Sequence, residues 1–242
     1  MSSDQVLSSS RSREVTLICI KTLRSLLSST EGKAVEAVYL WGSIVRPDFV
    51  PDRSDIDSIV LGEGPDLEEL CRWLSQTAAE REPTLRRFKA RPLYLEDLSG
   101  GPIRSELARL IHPKILIADF ENWRFVVGRQ CAREEFGLTP GSLDEIFALR
   151  LEALQRRLRI HSSDPGREPA KYILKEVGFI CHALHQLRLG PHPFSYSALI
   201  ENADERTREA VEAISVLRES GWEEGACHRA LGLAERFLAP IG

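Results

Sequence analysis

No run of this 242-residue chain approaches the roughly eighteen uninterrupted apolar residues that a membrane-crossing helix needs, so no membrane partner is expected. Cysteine is sparse and unpatterned. Cys19, Cys71, Cys131, Cys181 and Cys227 are odd in number and widely scattered, with no Cys-x-x-Cys pair among them. Such spacing excludes a disulfide framework and implies reduced, mostly buried thiols in a cytoplasmic protein. Excess positive charge is also missing. With 32 Lys and Arg against 36 Asp and Glu, the net charge is −4, and no basic nucleic-acid-binding surface is expected. The chain has no internal repeat and no low-complexity tract, and Met1 to Ser12 is polar, without the apolar core of a signal peptide. Its length fits one large domain or two modest ones.

What is present is concentrated in about twenty residues. An apolar run, Val38-Tyr39-Leu40-Trp41, leads into Gly42-Ser43, and eleven residues after Ser43 come Ser54-Asp55-Ile56-Asp57. Residues i and i+2 of a strand project from one face, so Asp55 and Asp57 point together while Ile56 turns to the core. Two adjacent carboxylates repel unless a cation lies between them, and Mg²⁺ favours one or two carboxylates together with phosphate oxygens of a substrate. Gly42 lets the backbone approach a phosphate closely, and the N–H groups that open the next segment can bind its oxygens. These are the requirements of nucleotidyl transfer from a triphosphate.

Around this motif the pattern alternates helices and strands. Arg13 to Ser29 reads as an amphipathic helix, Ala34 to Leu40 as the first strand and Asp55 to Leu61 as the second. Pro47 and Pro51 keep the segment between them a loop. Asp66 is placed to cap a helix through about Glu80. Leu85 to Leu98 fits one strand, or two short ones broken at Pro92. Pro102 to about Ala118 is mostly helical with a break at Pro113, and Trp123 to Val127 gives a last strand before Gly128. After Thr139-Pro140-Gly141 everything reads as helical: Leu143 to Ile160, Ala170 to Leu189, Ser195 to Ile200, Asp204 to Glu219 and Trp222 to Leu238. The second of these stops at Gly190-Pro191. The expected fold class is α+β, a small mixed-sheet domain over residues 1–139 followed by an all-α helical bundle over residues 140–242.

The order apolar strand, Gly-Ser, about ten residues and then Asp-apolar-Asp resembles the DNA polymerase β-like nucleotidyltransferase superfamily. The likeness is to its small-molecule branch, with the aminoglycoside adenylyltransferases and the minimal nucleotidyltransferases. The chain keeps the arginine that follows the family's Gly-Ser, as Arg46, but has Pro47 where the family has Gly and Ser58 where it has an apolar residue. The resemblance implies Mg²⁺ as cofactor and ATP as co-substrate. Asp55 and Asp57 would hold the metal, and Gly42, Ser43, Arg46 and Ser54 would bind the triphosphate, with Arg46 on the leaving pyrophosphate. The implied acceptor is a hydroxyl of a small molecule, an aminoglycoside-like antibiotic foremost. A protein acceptor is the first alternative, and a nucleotide-binding protein without turnover the second.

The family carries a third carboxylate on the next sheet strand, as metal ligand or general base. Its place in this chain falls near Arg91 or Pro92, and neither can ligate a metal or take a proton. Glu96 is the first substitute, with Asp97 beside it. Glu176 in the helical half is a further candidate base.

Lys171 and Lys175 lie four apart on one helical face and could reach a triphosphate. Tyr172 between them reads as a buried aromatic or a stacking platform. Cys181, His182 and His185 fit core packing better than zinc, because no second ligand cluster exists. The Arg-x4-His spacing of Arg156 and His161, similar to HEPN ribonucleases, carries little weight on so arginine-rich a helix. Pro193-Phe194-Ser195-Tyr196 reads as a loop leading into a helix cap.

Overall fold

A computed structural model of the chain describes residues 3–28, 35–161, 167–190, 194–220, 223, 225, 228, 231, 232 and 235. Contacts divide it into two compact units, Met1–Pro140 and Gly141–Gly242. Among the described residues no helix is long and apolar enough to cross a membrane.

The first unit opens with α1 (Ser3–Ser28), followed by β1 (Val35–Trp41), β2 (Ile56–Gly62), α2 (Leu67–Arg81) and β3 (Phe88–Tyr94). Two short helices, α3 (Glu106–Leu110) and α4 (Pro113–Ala118), precede β4 (Arg124–Gly128). The strands form one mixed sheet in the order β3-β2-β1-β4. β1 runs antiparallel to β2 and to β4, while β2 and β3 are parallel, joined by the crossover through α2. The fold is α+β, as the alternation of elements implies.

Strand parity sorts the side chains into two cores. Val38, Leu40, Ile56, Val60 and Phe88 face one side, where Val15, Cys19, Leu23 and Leu26 of α1 and Leu67, Leu70, Leu74 and Ala78 of α2 cover them. Ala37, Tyr39, Ile59, Leu61 and Leu93 face the other side, against Leu107 and Ala108 of α3, Leu116 and Ile117 of α4, and Trp123. The two central strands are apolar on both faces for this reason. Ser58, on the α1/α2 face, is fully buried, and its hydroxyl has no hydrogen-bond partner. A buried hydroxyl in that state costs about 1–3 kcal/mol.

Of the two readings of Leu85 to Leu98, the single strand is the one formed: β3 is a sheet edge, where a residue lacking an N–H is tolerated, and pairing runs unbroken from Phe88 to Tyr94 past Pro92. Ser75 of α2 accepts the Ala90 amide at 2.9 Å, covering part of that edge. Asp66 precedes α2 but forms no side-chain cap, and only its carbonyl joins the helix, accepting from the Leu70 amide at 2.9 Å. Pro113 does begin a new helix, at the first turn of α4, where no N–H is needed.

The second unit contains α5 (Leu143–His161), α6 (Arg167–Leu189), α7 (Tyr196–Asn202) and α8 (Glu205–Ser220). They enclose a core of Leu154, Ile173, Leu174, Val177, Ile180, Val211 and Ile214. Gly178 lets the Tyr196 ring pack close to α6, since a Cβ there would lie 2.9 Å from the Tyr196 hydroxyl. Ser195 caps α7 by accepting the Ala198 amide at 3.4 Å. Most of the expected helix from Trp222 to Leu238, with Cys227 in it, lies outside the described residues, as do Pro193 and the side chain of His161.

Candidate active site

β1 ends at Trp41, and a single 3-10 turn over Gly42–Val45 follows it directly. Gly42 has φ +76, a left-handed conformation that side-chain-bearing residues adopt only with strain. A Cβ at this glycine would sit 3.6 Å from Asp57 Oδ2, so the turn and that carboxylate oxygen are immediate neighbours. Ser43 Oγ donates to the Asp55 carbonyl at 2.9 Å, tying the turn to the start of β2. Ser54 Oγ accepts the Val50 amide at 3.2 Å and closes the loop between the two strands. Arg46 ends the turn with its amide on the Ser43 carbonyl at 3.0 Å.

The backbone therefore assembles Gly42, Ser43, Ser54, Asp55 and Asp57 at one end of the central strand pair. The two serine hydroxyls, expected to face phosphate, are engaged in holding the turn and the loop in place.

Asp57 pairs in register with Trp41 across the antiparallel ladder and lies on the face of Ile59 and Leu61. On the other side, the parallel register sets Asp57 beside Lys89 and Ile59 beside Arg91. Paired residues of a sheet share a face, so Arg91 projects from the same side as Asp57. Its Nε donates to Asp57 Oδ1 at 3.0 Å, with side-chain exposures of 25% and 17%. Arg87, just before β3, reaches Asp55 Oδ1 at 3.4 Å. Each of the two carboxylates thus has a guanidinium partner, Asp55 from Arg87 and Asp57 from Arg91.

The place where a third carboxylate was expected is taken by Arg91, on the site face, while Pro92 lies on the opposite face. Glu96 does not join the pair. It sits in the 3-10 turn Leu95–Leu98 after β3, beyond Tyr94, whose partner is Gly62 at the far end of β2. Five residues of strand separate that end from Asp57, about 16 Å at the usual rise. Glu96 is an exposed side chain paired with Arg104 at 3.2 Å. Asp97 is buried and spent on backbone, accepting from the amides of Tyr94, Arg104 and Ser105.

Among the described residues no group of three His, Cys, Asp or Glu side chains is arranged to hold a metal ion. Asp55 and Asp57 are the carboxylates that would hold a divalent cation, with phosphate oxygens and water in its remaining positions.

The remaining candidates belong to the second unit. Lys171 is buried in α6, and Lys175 Nζ lies 6.0 Å from the centre of the Tyr172 ring, whose side chain is partly exposed. Glu176 is buried and paired with Arg150 at 2.9 Å, and that guanidinium stacks over Phe179 at 4.5 Å. Cys181 lies in the core, where burial pushes its thiol up to about 12. His182 packs edge-on against Phe194 at 5.1 Å.

Arg87 and Arg91, which the structure places on the two carboxylates, were not singled out from sequence. Their signal was present in Phe88-Lys89-Ala90-Arg91, whose alternation of apolar and cationic residues puts Lys89 and Arg91 on one face. Which carboxylate they meet depends on a register that the alternation does not contain.

Residues 20–116 match the model of the nucleotidyltransferase domain. No curated protein matches the chain by sequence. Among solved structures the chain is similar to spectinomycin adenyltransferase from Enterococcus faecialis, determined with ATP and spectinomycin. The TM-score is 0.53 and the identity 12%, over 90% of this chain and 98% of that one. At this identity the likeness is one of fold. The stretch that matches the nucleotidyltransferase domain thus lies within the first unit.

Proposed function

We propose that the chain transfers AMP from ATP to a hydroxyl of a small molecule, with aminoglycoside-like antibiotics as the foremost acceptor class. The observation that carries this reading is the proximity of Asp57 Oδ2 to the left-handed Gly42 turn, inside the region that matches the nucleotidyltransferase domain. The likeness in fold to an adenyltransferase solved with ATP and spectinomycin supports the choice of nucleotide and acceptor.

In the proposed reaction the acceptor oxygen bonds to the α-phosphorus as the bond to pyrophosphate breaks, and the hydroxyl proton passes to a base or to water. Such transfer depends mainly on positioning and on stabilising charge. Asp55 and Asp57 would hold a Mg²⁺ ion, which supplies the charge that offsets the triphosphate. The amides of the Gly42–Val45 turn would bind phosphate oxygens, and Arg46 would assist the departing pyrophosphate with a guanidinium fork.

Pyrophosphate release from Mg-ATP in the presence of an aminoglycoside and aminocyclitol panel tests the proposal. Turnover with at least one acceptor, reduced by roughly 10²–10³ in Asp57→Asn, is the expected result. Release at background with every acceptor removes this acceptor class.

A second reading is favoured by one observation, the guanidinium of Arg91 where a third acid was expected. In that reading the domain binds nucleotide without turnover. Mg-ATP binding, abolished in Asp55→Asn/Asp57→Asn, with no transfer to any small or protein acceptor, would identify it.

A further inference from the structure

We infer that Arg91 acts as a built-in cation at the carboxylate pair, so that the site takes a single divalent metal ion with its nucleotide rather than two. This inference rests on the reading of Asp55 and Asp57 as a metal–triphosphate site. Three observations support it independently of any activity.

The first is the division of Asp57. Its Oδ1 accepts from Arg91 Nε at 3.0 Å, whereas its Oδ2 lies on the side of the Gly42 turn. A cation at Oδ2 meets the turn where phosphate would bind, but a second cation at Oδ1 meets a guanidinium of like charge.

The second is the donor set. Two metal ions held side by side need bridging acids plus a further one, and β3 supplies none at the register positions beside Asp57 and Ile59. Those positions carry Lys89 and Arg91. The only acids after them on that segment, Glu96 and Asp97, are held by Arg104 and by backbone amides at the far end of the sheet.

The third is charge. With Arg87 on Asp55 and Arg91 on Asp57, each carboxylate already has a cationic partner before metal or nucleotide arrives. One divalent ion then adds to two fixed guanidiniums in facing a triphosphate. Arg91 in this role is a positioning residue: it fixes the rotation of the Asp57 carboxylate, so that one oxygen serves the metal.

The test uses Mn²⁺ in place of Mg²⁺ and a non-hydrolysable α,β-methylene ATP analogue, with bound Mn²⁺ counted by electron paramagnetic resonance and affinity measured by calorimetry. One Mn²⁺ per chain in the wild-type nucleotide complex is expected. Arg91→Glu, which restores an acid at this register position, should bind two. Arg91→Met, which keeps the length of the side chain and removes its charge, should bind Mn²⁺ about tenfold more tightly without nucleotide, because the like charge next to Asp57 is gone. Two Mn²⁺ per chain in the wild type, or an unchanged Mn²⁺ affinity in a folded Arg91→Met protein, overturns the inference while leaving the nucleotide site intact. Failure of the wild type to bind the analogue with or without Mn²⁺ overturns both the inference and the reading on which it rests.

Discussion

Ser43 Oγ donates to the main-chain carbonyl of Asp55 at 2.9 Å across a span of twelve residues. This one bond joins the turn after β1 to the main chain of Asp55, the residue just before β2, and so ties the Gly42–Val45 turn to the backbone that carries the acidic pair.

Replacing Ser43 with Ala removes the donor and leaves the Asp55 carbonyl without this partner. A loss of about 0.5–1.5 kcal/mol is expected. Ser43→Thr retains the hydroxyl and should recover most of it. Urea denaturation measures the stability, and the weakening of nucleotide binding in Ser43→Ala should exceed that in Ser43→Thr.

Gly42 and Gly128 separate conformational strain from steric exclusion. Both have positive φ, +76 and +100. At Gly42 a methyl group has room, 3.6 Å from its nearest neighbour, so Gly42→Ala should cost only the left-handed backbone penalty of about 1–2 kcal/mol. At Gly128 the same methyl would lie 2.3 Å from the Glu36 carbonyl oxygen. Backbone has to move there, and Gly128→Ala should be the more damaging by roughly 1–3 kcal/mol. Thermal melts of the two variants give the comparison, and equal losses would contradict it.

Glu176 is expected to stabilise the helical unit through Arg150 rather than serve as a base. The pair is largely shielded from solvent, with exposures of 16% for Arg150 and 10% for Glu176. Glu176→Gln leaves a guanidinium packed on Phe179 without its counter-charge and should destabilise the protein by about 2–4 kcal/mol. Combining Arg150→Met with Glu176→Leu should restore much of that. A Glu176→Gln protein of wild-type stability that loses turnover would instead assign it to the chemistry.

Asp204 provides a pH-dependent contribution. Its carboxylate accepts the Thr207 amide at 2.8 Å at the start of α8 and pairs with Arg188 at 2.9 Å. The Thr207 amide and hydroxyl, then Arg188, hold the carboxyl down to about 2 from its ordinary 3.8. The folded-state value lies below the unfolded one, so the contribution is complete above the unfolded value of 3.8 and is lost as the pH falls toward 2. Asp204→Ala should cost about 1 kcal/mol near neutral pH, as loss of a helix N-cap does. Asp204→Asn, which caps without titrating, should show a shallower stability loss than wild type across the interval from 3.8 to about 2.

The carboxylate pair, the turn before it and the change to an all-helical second half were legible from residue order alone. Each depends on local rules: the i, i+2 spacing of Asp55 and Asp57 where β2 begins, a glycine where the chain turns after β1, and the 3.6-residue period that marks α5, α6 and α8. The identity of the group facing Asp57 followed no such rule. Arg91 meets Asp57, and Glu96 is carried to the far end of the sheet, because β3 aligns in parallel with β2 in one register. That register is set by the crossover through α2 and by the packing of Phe88, Leu93 and Tyr94 into the two cores. Periodicity specifies which face of a strand a residue occupies. Only the packed sheet specifies which residue of the neighbouring strand lies beside it.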